Sequence, residues 1–157
     1  MIPKKVTVTV DRPKNSHHPK YNDLVYPINY GYIPGVLAGD GEEQDAYILG
    51  VNEPIQEFDG QVIAAICRKN DCEDKLVVAP EGMLFHQGEI AGMVHFIEQY
   101  FVSTIDCLLR KSCGVAPFRW NGAEREFLIL LQTNGCWSFP KGHMDAGETE
   151  EQTALRE

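Results

Sequence analysis

Tyr26-Pro27-Ile28-Asn29-Tyr30-Gly31-Tyr32-Ile33 is followed after a short gap by Asp40-Gly41-Glu42-Glu43-Gln44-Asp45-Ala46, and these two segments set the expected architecture. Tyr26, Tyr30 and Tyr32 alternate and would share one face of a strand. Pro27, Gly31 and Pro34 bend that strand and turn it. Asp40, Glu42 and Asp45 then form an acidic turn at the mouth of an apolar strand, 46–51. Asp71, Glu73 and Asp74 lie on a second turn between strands. Carboxylate oxygens are hard ligands suited to Mg²⁺ or Mn²⁺. Metals held this way bridge phosphates and lower the pKa of a bound water. The plainer reading of such turns is a solvated charged surface.

Outward from this stretch, Val6-Thr7-Val8-Thr9-Val10 alternates with period two and reads as a half-buried strand. Residues 11–23 read as a loop, and His17-His18 as a solvated part of it rather than a metal pair. Strands are expected at 62–67 and 76–79. Short strands at this spacing suggest a small barrel or sandwich. The period then changes. Ile90, Met93, Val94, Ile97, Phe101, Ile105 and Leu108 follow helical spacing, which predicts an amphipathic helix running on toward Arg110. A second β pattern follows at 115–120 and 127–131, with a hairpin turn at Asn121-Gly122. Residues 148–157 look helical.

The chain has 157 residues, 14 Lys plus Arg against 23 Asp plus Glu, and a net charge of −9. A polyanion needs clustered cations, so a nucleic-acid polymer is not an expected partner. No apolar run is long enough for a bilayer. Five cysteines without CxxC spacing argue against a disulfide scaffold or structural zinc and for a reduced cytoplasmic setting.

The two quoted segments resemble the soluble inorganic pyrophosphatases of the barrel-forming family, whose signature is Y-P-x-N-Y-G-Y and then D-G-D-x-x-D. Lys75-Leu76-Val77-Val78-Ala79-Pro80 resembles that family's lysine-bearing strand, and His95-Phe96-Ile97-Glu98-Gln99-Tyr100 the start of its C-terminal helix. The resemblance covers about residues 6–101. It implies a small β-barrel with a C-terminal helix over residues 1–106. It also implies Mg²⁺ or Mn²⁺ on Asp40, Glu42, Asp45, Asp71 and Glu73, with Glu42 positioning or deprotonating the attacking water. Tyr30, Lys75 and Tyr100 match phosphate-contacting residues. Lys20 is a further candidate cation for substrate. The implied reaction is Mg²⁺-dependent hydrolysis of pyrophosphate to two phosphates. Glu42 and Glu73 replace shorter aspartates, and Phe101 stands where the family carries a lysine. These departures favour an alternative: a weak or inactive binding or regulatory domain.

Gly142-x5-Glu148-x7-Arg156-Glu157 is similar to the first part of the Nudix box. Trp137-Ser138-Phe139-Pro140-Lys141-Gly142-His143-Met144 and Lys111-Ser112-Cys113-Gly114 resemble the dinucleoside-polyphosphate branch of that family. The resemblance covers about residues 110–157. It implies an incomplete Nudix α/β fragment at 107–157, part of a longer two-domain protein and inactive as it stands. A hairpin with one short helix is expected to be marginal alone. Its unpaired strand edges would favour homo-oligomers. The expected fold class is therefore mainly β with α: a pyrophosphatase-type barrel, then the Nudix fragment.

Overall fold

The computed structural model describes residues 4–109, 112–133, 135–145 and 147–157. They fall into two compact units, Met1–Leu109 and Arg110–Glu157. The first unit runs β1 (Lys5–Arg12), β2 (Asn29–Leu37), β3 (Glu43–Ile48), β4 (Glu57–Arg68), β5 (Lys75–Ala79), α1 (Gln87–Glu98) and β6 (Ser103–Cys107). Strand order is β1-β2-β3-β5-β4, and β4 pairs back onto β1 to close a five-stranded barrel. This is the mainly-β fold class expected.

β4 extends well beyond the 62–67 read from sequence, because it serves two partners on one edge. Residues 57–61 pair with β1 and residues 64–68 with β6. Its other edge takes β5. β3 and β5 run parallel, with Ala46 opposite Leu76 and Ile48 opposite Val78. Parallel strands start at the same end, so the turns that lead into β3 and β5 share one rim of the barrel.

Alternate residues of these strands face opposite ways. Val8, Val10, Ile33, Ala46, Ile48, Val62, Ala65, Leu76 and Val78 form one buried cluster, drawn from all five barrel strands and hence the interior. Tyr47, Leu49, Ile63, Ala64, Ile66, Val77 and Ala79 form a second cluster with Ile90 and Val94 of α1. This is the outer wall under the helix. Ile63 and Ala64 both face outward because the register shifts between Val62 and Ala64. Strands buried on both faces read as continuous apolar runs.

Gly31 answers a steric demand. Any Cβ there would overlap the carbonyl oxygen of Thr9 on β1. Asn29 is fully buried; its Oδ1 accepts from the amides of Lys14 and Ile55, and its Nδ2 donates to the carbonyl of Glu53. The motif's Asn and Gly therefore fasten loops and let two strands approach.

Four expectations need correction. The helix ends at Glu98, with Gln99 as C-cap, instead of continuing through Phe101, Ile105 and Leu108. The segment Val102-Ser103-Thr104-Ile105, rich in β-branched Val, Thr and Ile, leads into β6 and satisfies the 64–68 edge of β4, a better outlet for its backbone groups than another turn of helix. Arg110, the expected limit, lies outside the described residues. β3 begins at Glu43, so Asp45 belongs to a strand and not to a turn. Tyr26 precedes β2, which starts at Asn29, and shares no strand with Tyr30 and Tyr32.

The fourth correction falls in the second unit: β7 (Ser112–Gly114), β8 (Phe118–Asn121), β9 (Glu124–Phe127), β10 (Leu130–Leu131), β11 (Trp137–Ser138), β12 (Lys141–His143) and α2 (Glu150–Arg156). The hairpin loop between β8 and β9 is Gly122-Ala123, one residue beyond the expected Asn121-Gly122. Gly122 has φ +62° and Ala123 does not have positive φ, as a type II′ turn requires. β7 pairs with β12 and β10 with β11. Thr149 caps α2, its side chain accepting from the Gln152 amide. Lys111 lies outside the described residues.

Candidate functional site

The rim shared by β3 and β5 carries the acidic residues. Gly39, in the turn before β3, lies so close to the second turn that a Cβ would overlap the carbonyl oxygen of Cys72. Gln44 Nε2 also donates to the Asp74 carbonyl at 2.6 Å. Two acidic segments far apart in sequence are thus adjoining in space. Asp40 and Glu42 are exposed on the first turn, where Asp40 Oδ1 accepts from the Glu42 amide at 3.0 Å. Asp71 is exposed on the second.

Below the turns, on the same outer face as Tyr47 and Val77, sits a tighter group. Lys75 opens β5 and is only 3% exposed. Its Nζ donates to Asp45 Oδ2 at 2.7 Å and pairs with Glu73. The Tyr30 hydroxyl donates to the same Asp45 oxygen. Burial raises the Tyr30 phenol far above its ordinary value, and the neighbouring Asp45 carboxylate raises it further, so it stays protonated as a donor. Burial also pushes the Glu73 carboxyl up, against the pull of Lys75. Tyr30 lies against Tyr26 and Tyr47, and both of those meet Phe96 of α1 edge-on.

Beside this group runs a second polar network that pattern reading missed. The Tyr47 hydroxyl donates to Glu98 Oε1 at 2.7 Å, deep under the helix. Arg68 grips both oxygens of Glu98, Nη2 to Oε1 at 2.6 Å and Nε to Oε2 at 3.2 Å. Its Nη1 reaches Asp71 at 3.0 Å, and its guanidinium stacks on Phe101 at 3.6 Å. Asp71 is held below the usual carboxylate range: burial, the largest single influence, pushes it up, but the hydrogen bonds from Arg68 and the Cys72 amide, with the charges of Arg68 and Lys75, together outweigh it. Only the apolar position of Phe101 after a helix hinted at this role, since an aromatic ring is a seat for a guanidinium.

Two candidates stand apart from the cluster. Tyr100 lies in the turn after α1 and is 69% exposed. Lys20 is exposed in the loop before β2, where His18 Nδ1 accepts from the amides of Lys20 and Tyr21. His17 Nδ1 bonds the Asn22 carbonyl, so the histidine pair shapes that loop.

The donor set fits a hard divalent cation in kind: oxygens of Asp40, Glu42, Asp45, Asp71 and Glu73 on one rim. Among the described residues, however, no group of three or more such side chains is close enough to hold an ion. Asp45 and Glu73 are instead drawn together by Lys75.

In the second unit the four Nudix-like positions converge. Arg156 Nε donates to Glu148 at 2.7 Å, and its Nη1 pairs with Glu157. Glu157's carboxylate lies where a Cβ on Gly142 would be. Hydrogen bonds from Arg156 and Thr153 lower the Glu148 pKa to about 2.

The closed five-stranded barrel with a helix on its outer wall is a known architecture. It resembles the crystal structure of inorganic pyrophosphatase from Ehrlichia chaffeensis, with a TM-score of 0.54 and 18% identity, over 69% of this chain and 88% of that one. No family model matches the chain. Among curated proteins, the inorganic pyrophosphatase of Xanthomonas campestris is 25% identical over 169 aligned positions, covering 84% of this chain and 89% of that protein. That span exceeds the first unit. The asymmetrical bis(5'-nucleosyl)-tetraphosphatase of Sus scrofa is 42% identical over 55 positions, 30% of this chain and 37% of that protein. No described helix is long and apolar enough to cross a membrane.

Proposed function

We propose that this chain is a hydrolase that splits inorganic pyrophosphate into two phosphates in a Mg²⁺-dependent reaction, in the cytoplasm. The observation that carries the reading is the meeting of the Asp40 and Asp71 turns beside the Tyr30–Asp45–Lys75–Glu73 group. The pyrophosphatase relatives support it. The barrel, about residues 1–106, is the hydrolytic domain. Asp40, Glu42, Asp45, Asp71 and Glu73 would hold Mg²⁺ or Mn²⁺. The bound cation would neutralise phosphoryl oxygens and make a water more acidic.

The chain's own residues do the rest. Glu42, exposed at the rim, takes the proton from the attacking water. Tyr30 orients Asp45 through its hydroxyl. Lys75 brings the one buried ammonium of this group toward the phosphate oxygens, where charge grows as the P–O bond breaks. Tyr100 and Lys20 reach substrate from outside the cluster.

The test is phosphate release from pyrophosphate and Mg²⁺ by the purified chain. Release at least a hundredfold above an Asp40→Asn, Asp45→Asn double variant is the expected result. Release no greater than that of the variant defeats the reading.

A second reading, a binding or regulatory domain without turnover, is favoured by Lys75 lying on both carboxylates and by Phe101 where a phosphate-gripping lysine was expected. Calorimetry showing Mg²⁺-dependent pyrophosphate binding without release would select it. Residues 107–157 then read as the opening of a Nudix domain for dinucleoside polyphosphates. The convergence of Gly142, Glu148, Arg156 and Glu157 and the tetraphosphatase match support that assignment.

A further inference from the structure

We infer that Lys75 is an internal counter-ion occupying the place between Asp45 and Glu73, and that a divalent cation enters this rim only by driving the Lys75 ammonium out of it. The inference deepens the hydrolase reading and rests on it. Lys75 is 3% exposed, and its two carboxylate partners are themselves partly sheltered, with 28% and 16% of their side chains exposed. Two carboxylates this close repel each other unless a positive charge lies between them. Here the ammonium supplies that charge, and Tyr30 donates the additional hydrogen bond to Asp45. Among the described residues no third acidic or other metal-ligating side chain joins this pair to make a cation site, and the ammonium is what lies between the two.

Exchange of one cation for another has a direct consequence. A buried ammonium cannot be left without an anion, so expulsion from between Asp45 and Glu73 obliges Lys75 to find another. The nearest route is outward along the rim, where a phosphate oxygen would receive it. Metal uptake and anion uptake are therefore coupled through one side chain, each raising the affinity of the other by the same factor. Lys75 then switches partner in the working cycle: it neutralises the wall while the site rests and neutralises the substrate when the site is loaded.

The inference predicts a gain where a simple phosphate-contacting lysine predicts none. Mn²⁺ binding is measured directly, from the loss of the free-ion electron paramagnetic resonance signal, on the full chain and on Lys75→Met and Lys75→Arg. Lys75→Met binds Mn²⁺ about tenfold more tightly than the parent, because a competing unit charge is gone. Lys75→Arg, which keeps the charge, stays within about twofold. Unchanged or weaker binding by a folded Lys75→Met overturns the inference.

If Lys75→Met does not fold, the parent chain decides the matter through acylation of Lys75 by an amine-reactive ester, read by mass spectrometry. The lysine is shielded without metal and reacts at least fivefold faster with saturating Mn²⁺. An unchanged rate overturns the inference. A parent chain that takes up no Mn²⁺ sinks both the inference and the metal half of the hydrolase reading. Lysine release on Mn²⁺ binding without phosphate production sinks the hydrolase reading alone.

Discussion

The two units of this chain bury their apolar side chains to very different degrees. In Met1–Leu109 the strands β3, β4 and β5 carry residues such as Ile48, Ile66 and Val77 with no exposed surface at all, packed into two clusters on opposite faces of one wall. In Arg110–Glu157 the large apolar side chains face solvent: Trp120 is 61% exposed, Leu131 59% and Trp137 63%. Among the described residues of that unit, only Thr153 and Pro140 are buried. The first unit is held by burial of apolar surface. The second is held by hydrogen bonds and ion pairs around Arg156 and by short strand pairs. Stability in the two should therefore respond to different perturbations, and the probes separate cleanly, because both tryptophans, Trp120 and Trp137, lie in the second unit.

The largest effect expected is from Gly31→Val. The added side chain would overlap the backbone of β1, which cannot yield without opening the barrel. Destabilisation of about 4 kcal/mol or more is expected, seen as loss of slow amide hydrogen exchange in β1 and β2. Trp fluorescence of the second unit should be unchanged.

Next in size is Ile48→Ala, in the fully buried interior. It should cost about 2–5 kcal/mol by denaturant titration followed at far-ultraviolet wavelengths. Leu131→Ala, at an exposed site, is the matched control and should stay within about 0.5 kcal/mol. Equal costs at the two sites would erase the contrast between the units.

pH should separate them further, in opposite directions. Burial and the adjacent Glu98 raise the Tyr47 phenol well above its ordinary value of 10.0. A raised pKa means stability fully present below the unfolded value and lost as pH climbs above it. The barrel should lose about 1.4 kcal/mol per pH unit above pH ~10 on account of this group. Tyr47→Phe should remove this group's share of the slope and leave the share of Tyr30, whose phenol is raised in the same sense. Glu148 has the reverse sign. Its folded pKa of about 2 lies under the unfolded 4.5. The stabilisation it provides is present above pH 4.5 and disappears as pH falls toward 2. Trp fluorescence should report acid unfolding of the second unit in that window, and Glu148→Gln should flatten it. This is the smallest effect of the series, because the ion pair with Arg156 lies near the surface and is screened by water.

Much of the barrel was legible because its central strands are buried twice over. Runs such as Ala46-Tyr47-Ile48-Leu49 and Leu76-Val77-Val78-Ala79 have no polar gap to confuse the reading. The end of α1 was illegible for the opposite reason. Phe101, Ile105 and Leu108 fall on helical spacing by coincidence, and what ends the helix is an open edge on β4, a fact of tertiary structure. The acidic turns announced themselves by composition, but their adjacency depends on the parallel pairing of β3 with β5. The Tyr47–Glu98–Arg68–Asp71 chain could not be read at all. Its links to Glu98 cross 51 residues from Tyr47 and 30 from Arg68, and only the Arg68–Asp71 link is local; an isolated Arg or Glu in sequence looks like ordinary surface charge. Asn29 was visible as a motif letter, yet its work is to bond three backbone groups from two other loops.

The bond from Arg68 to Asp71 makes the two acid-bearing turns mechanically unlike. Through Arg68 and Glu98, one turn is lashed to the last turn of α1 and to Tyr47 in the wall. The side chains at the tip of the other are exposed and have short-range bonds, such as Asp40 with the Glu42 amide. One bank of the rim has its carboxylate braced by an ion pair, and the other carries carboxylates at its tip that no cation holds among the described contacts. Most of the entropy lost in gripping any ion or anion there is consequently lost on the Asp40 bank, and shortening or rigidifying that turn is the cheapest way to tighten the grip.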